Sequence, residues 1–102
     1  MEKIEKLNTT IQREIAKIIE KIDFNCLVTI SKVETNDAKT KANIFISVFP
    51  FSKIEEVAKE IGSLQHKIQK EFNQLEIKTK PKLNFFIDPK AEEIDTNNKI
   101  NI

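Results

Sequence analysis

The sequence predicts one α+β domain, a three-stranded sheet with its helices on a single face, in the order α-β-β-α(kink)α-β. Three observations carry this expectation. Apolar residues recur at helical steps over residues 4–22 and 54–75. They alternate with polar ones over residues 41–48 and 83–88. A chain of 102 residues holds one core rather than two.

In the first segment Ile4, Leu7, Ile11, Ile15, Ile18, Ile19 and Ile22 are spaced by threes and fours, with Lys, Glu, Arg and Gln between them. That is one face of a long amphipathic helix. Asp23 and Asn25 break it. Residues 26–34, rich in Val, Ile and Thr, suit a first strand. Thr35, Asn36 and Asp37 are turn formers, and residues 41–49 suit a second strand antiparallel to the first. Ala42, Ile44, Ile46 and Val48 share its inner face, while Asn43, Phe45 and Ser47 share the other. Pro50 ends the strand, because proline donates no ladder hydrogen bond.

Ser52 followed by Glu55 predicts a capping box, and Ile54, Val57, Ala58, Ile61, Leu64, Ile68, Phe72 and Leu75 continue at helical steps. Gly62-Ser63 predicts a kink within this run, since glycine weakens a helix interior. Residues 78–82 form a basic connector containing Pro81, and Leu83, Phe85 and Ile87 alternate with Asn84, Phe86 and Asp88 as a third strand. The predicted domain covers residues 1–90, with a polar tail at 91–102.

Composition removes most enzyme classes. Cys26 is the only cysteine, which leaves no intrachain disulfide and no cysteine-rich zinc site. His66 is the only histidine and Gly62 the only glycine, so His-pair metal motifs, P-loops and dinucleotide fingerprints are excluded. A Cys26–His66 dyad has no orienting partner in the sequence, and adjacent pairs such as Glu55-Glu56 point apart on a helix. No catalytic, metal or cofactor site is expected. The apolar runs are far shorter than the ~20 residues a membrane span needs. The N-terminal residues lack the apolar core of a signal peptide, so the expected location is cytoplasmic.

The net charge of +1 hides a local polarity. Residues 62–82 carry Lys67, Lys70, Lys78, Lys80 and Lys82 against two glutamates, whereas residues 83–102 carry two lysines against four acids. Lysines so grouped can neutralise phosphates and release counterions, a sequence-independent source of affinity for RNA. They can equally form a solvated helix face and loop. Arg13, the only arginine, and Lys17 lie one turn apart on the exposed side of the first helix and are candidates to extend the surface. Phe45 and Phe86 fall on the sheet face away from the core, where aromatic rings either stack bases or cover each other.

Four stretches together resemble the ribosome-binding factor A family: REIAKIIEKI (13–22), LVTISKVE (27–34), KANIFISVF (41–49) and EIKTKPKLNFFID (76–88). In the last, Ile77, Lys78, Pro81, Leu83, Phe85 and Asp88 fill the family pattern. The predicted element order is that of a type II KH-like domain. The chain departs from the family at the central kink, where Leu64, Gln65 and His66 replace an Ala-x-Gly motif, and at Gln69, which replaces an arginine.

The resemblance implies a monomeric, non-enzymatic factor that binds the small ribosomal subunit and its rRNA and assists late rRNA maturation. No membrane or small-molecule partner is implied. The RNA-binding residues expected are Arg13, Lys17, Lys67, Lys70, Lys78, Lys80 and Lys82. The alternative is a protein-interaction domain on the same scaffold without RNA binding. A small hydrolase ranks third, for want of a nucleophile-base pair.

Overall fold

A computed structural model of the chain describes residues 3–87. The expected domain limit at residue 90 and the tail at 91–102 lie outside the described residues. Helix α1 (Ile4–Glu20) buries Leu7, Ile11, Ile15, Ile18 and Ile19, the stripe its spacing predicts. Strands β1 (Leu27–Thr35) and β2 (Lys41–Phe49) pair antiparallel. A 3-10 turn (Phe51–Lys53) leads into α2 (Ile54–Asn73), and β3 (Lys82–Ile87) returns beside β2 in parallel. The sheet order is β1-β2-β3, with β2 central.

The helices share one face of the sheet, as expected. Ala42, Ile44, Ile46 and Val48 of β2 are buried with the apolar residues of α1 and with Val57, Ile61, Ile68 and Phe72 of α2. Both helices thus close one core over one sheet face, the simplest way to bury three apolar stripes at once.

The hairpin turn is held by Asn36. Its Oδ1 accepts from the backbone N–H of Thr40 (2.9 Å) and of Lys41 (3.0 Å), while its Nδ2 donates to Thr40 Oγ1 at 2.8 Å. These bonds hold Lys39 at φ 59°, a left-handed conformation that costs a non-glycine residue about 1–2 kcal/mol. In β1 the register slips between Ile30 and Lys32, leaving Ser31 as a bulge. The bulge changes which residues face inward: Val28 and Ile30 before it, Val33 after it, so Lys32 points out opposite Phe45.

One local expectation is corrected. Ser52 does not cap α2; it lies within the 3-10 turn, and α2 starts after Lys53 without a side-chain cap. Glu55 and Glu56 in the first turn face the positive end of the helix dipole instead. At Gly62-Ser63 the helix continues unbroken. It is one element of 20 residues, and Ser63 Oγ donates to the Glu60 carbonyl within it.

Gly62 is therefore an ordinary helix residue without a side chain, and a Cβ built there meets nothing within 4 Å. Gly62→Ala is expected to raise stability by about 0.5–1 kcal/mol by restricting the unfolded chain. A urea midpoint equal to or below that of the wild type would show that the glycine is needed for its backbone.

Candidate nucleic-acid interface

The five predicted lysines follow one another along the second half of α2, the connector and the start of β3, and they do not play one role. Lys67 and Lys70 are exposed on α2, and Lys78 is exposed in the connector. Lys82 is exposed at the start of β3. Lys80 differs: it is half-buried, and its Nζ donates to the Asn73 carbonyl at 2.8 Å. That carbonyl lies at the C-terminus of α2, where a cation suits both the orphan acceptor and the negative dipole end.

The structure adds a residue that the sequence reading missed. Lys41 opens β2 in register with Lys82, so two exposed cations stand side by side across the parallel pair. They are 41 positions apart in the chain. Only the register brings them together.

Arg13 and Lys17 are exposed on α1 and share one acidic partner. Arg13 Nε and Lys17 Nζ each lie 3.6 Å from Glu14 Oε2. Helix α1 packs against β1, one edge of the sheet, and α2 against β3, the other. The two helices also touch each other, and the Lys21 ammonium just past α1 bonds the Glu71 carboxylate of α2, next to Lys70.

On the open sheet face Phe45 and Phe86 pair in register, with ring centroids 5.4 Å apart and planes inclined by 25°. Lys32 Nζ lies 4.8 Å from the Phe45 centroid on β1's side, a cation–π contact made possible by the Ser31 bulge. The rings do cover each other, yet Phe86 stays 47% exposed.

Cys26 lies in the loop before β1. Burial pushes its thiol up, with Glu56 and Glu60 adding to the rise and Lys53 opposing it. A thiol held protonated is a poor nucleophile. His66 is exposed further along α2, beyond the turns that carry those neighbours. Among the described residues no three His, Cys, Asp or Glu side chains converge as a metal site, and no helix is long and apolar enough to cross a membrane.

Residues 3–101 match the sequence model of a family described as ribosome-binding factor A. The chain belongs to the ribosome-binding factor A family. It is 30% identical over 98 residues to ribosome-binding factor A of Christiangramia forsetii, covering 88% of this chain and 75% of that protein. It is 26% identical over 98 residues to the protein of the same name from Flavobacterium johnsoniae, with the same coverage of both chains. The crystal structure of ribosome-binding factor A from Thermus thermophilus superposes with a TM-score of 0.69, at 14% identity. The match covers 83% of this chain and 94% of that one. The shared fold is KH-like.

Within the ribosome-binding factor A fold, the departure at Gln69 has a structural use. Gln69 Oε1 accepts from the Leu83 N–H at 2.8 Å, and its Nε2 donates to the Pro81 carbonyl (3.2 Å) and to Asn73 Oδ1 (3.0 Å). One turn earlier, Gln65 Nε2 donates to the Leu83 carbonyl at 3.2 Å. Leu83 faces the free edge of β3, so the two amides from α2 occupy the backbone groups that an edge strand leaves unpaired. They also fix the connector that carries Lys80 and Lys82.

Proposed function

We propose that this chain is a non-enzymatic assembly factor that binds the small ribosomal subunit and its rRNA as a monomer in the cytoplasm. In this reading it assists late maturation of small-subunit rRNA. The observation that carries it is the family match over residues 3–101, on a fold that exposes lysines along the second half of α2, the connector and the start of β3. Lysines supply phosphate affinity without reading sequence. Specificity then comes from RNA shape, and the factor acts by population shift: tighter binding to one rRNA conformation raises its share of the ensemble. No reaction and no cofactor are required.

A second reading has one observation behind it. Leu27 and Phe49 pair in register at the far end of the sheet and are 61% and 60% exposed, which suits contact with a protein. Co-sedimentation separates the two. The protein is expected to travel with small subunits and not with large ones, and binding is expected to weaken steeply between low and moderate salt. Equal binding to both subunits would point to nonspecific cation–phosphate attraction. Salt-insensitive binding would favour a protein contact instead.

A further inference from the structure

The open face of β2 and β3 repeats each residue type across the strand pair. Lys41 is in register with Lys82, Asn43 with Asn84, and Phe45 with Phe86. Each pair points away from the helices, because the intervening Ala42, Ile44 and Leu83 are buried in the core and Phe85 packs against it. A cation pair, an amide pair and a ring pair thus follow one another along about 13 Å of sheet, four residues at about 3.3 Å each.

The Lys41–Lys82 pair is the informative member. Like charges placed directly opposite destabilise a sheet. Core packing does not require them, since both side chains are exposed. On the neighbouring strand Lys32 reaches Glu34 at 3.5 Å. With Lys32, Lys41 and Lys82 against Glu34, the strand residues of this face carry a net positive charge. The face therefore complements an anion.

The ring pair narrows the choice of anion. Across the sheet the order is Lys32 Nζ, the Phe45 ring, then the Phe86 ring. Phe45 is flanked on both sides, whereas Phe86 lies on the edge strand and is 47% exposed. A planar group beside Phe86 would continue the stack. A ligand with phosphates and flat rings in one chain is a single-stranded nucleic acid, in which unstacked bases meet aromatic side chains and phosphates meet lysines. The amides of Asn43 and Asn84, between cations and rings, can each donate to and accept from base edges. A duplex hides its base faces and fits the lysines alone.

We propose that the open β2–β3 face is a platform for single-stranded RNA, with a phosphate held by Lys41 and Lys82 and a base stacked on Phe86. This rests on the RNA-binding reading above and adds to it the strandedness of the RNA and the surface that meets it.

The probes are a short fluorescein-labelled oligoadenylate and the same strand annealed to oligouridylate, followed by fluorescence anisotropy. Phe86→Leu, which keeps apolar cover but removes the ring, is expected to weaken single-strand binding about tenfold and to leave duplex binding unchanged. Phe86→Trp is expected to retain binding. The chain has no other tryptophan, so its indole emission should be quenched as oligoadenylate is added. Circular dichroism confirms that both variants are folded.

Wild-type protein that binds the single strand no more tightly than Phe86→Leu does, with unquenched Phe86→Trp, overturns the platform while leaving RNA binding elsewhere intact. Failure of the wild type to bind the single strand also overturns it, and co-sedimentation with small subunits then shows whether the wider reading stands. If Phe86→Leu weakens subunit binding but not oligoadenylate binding, the face takes a protein, and the platform is again overturned.

Discussion

Gln69→Ala is expected to lower the stability of the domain by about 2–3 kcal/mol, far more than a half-exposed polar side chain normally contributes. The Gln69 amide serves the Leu83 N–H and the Pro81 carbonyl together, and the alanine variant leaves both without that partner. Each unpaired group costs about 1–3 kcal/mol when water is excluded and less where water reaches it, so the sum is discounted for the partial exposure of this edge. In a domain of this length the loss corresponds to a fall in Tm of roughly 10–15 °C. Gln69→Glu should fall between, because a carboxylate accepts the Leu83 N–H but cannot donate to Pro81. An arginine at this position would only donate and would leave the Leu83 N–H without this partner. Thermal melts of the wild type and the two variants check the order. A Gln69→Ala melt within a degree or two of the wild type would mean that solvent replaces the amide.

The same side chain marks the limit of what the sequence makes legible. Helical and strand periodicity place α1, β1, β2, α2 and β3 to within a residue or two, and the inner face of β2 follows from alternation alone. These are local patterns with one dominant cause, burial of apolar surface. What escapes them depends on register or on neighbours distant in the chain. The Ser31 bulge leaves a trace: the apolar positions go from Val28 and Ile30 to Val33, a break in period two. The pairing of Lys41 with Lys82 leaves none, because nothing near either residue encodes a parallel crossover.

Capping went wrong for a related reason. Ser52 has the right identity and spacing for an N-cap, but the 3-10 turn after Pro50 takes it up before α2 starts. Gly62 likewise costs helix stability without dividing the helix, since α2 is held by the burial of Val57, Ile61, Ile68 and Phe72 on both sides of it. Of the candidate site, the sequence identified the exposed cations Lys67, Lys70, Lys78 and Lys82. It could not separate them from Lys80, whose charge is directed onto the end of α2.

That distinction decides how the RNA surface should be tested, and it sets the largest expected effect on binding. Lys67→Ala, Lys70→Ala and Lys82→Ala, combined, are expected to reduce affinity for small subunits on the order of 100-fold at ~0.1 M salt, taking one phosphate per lysine and a salt slope of about 0.7–0.9 for each contact. The slope of log K against log salt should then fall by about two to three units. Lys80 is left in place because its Nζ holds the Asn73 carbonyl, and its removal would mix a stability loss with a binding loss. The three chosen side chains are exposed, so the variant should melt close to the wild type. Arg13→Ala with Lys17→Ala is the matched comparison on α1, where Glu14 already offsets part of the charge. Its expected effect on the slope is less than about one unit. A triple variant with wild-type affinity and slope, beside a double variant that has lost both, would move the RNA surface from α2 and β3 to α1.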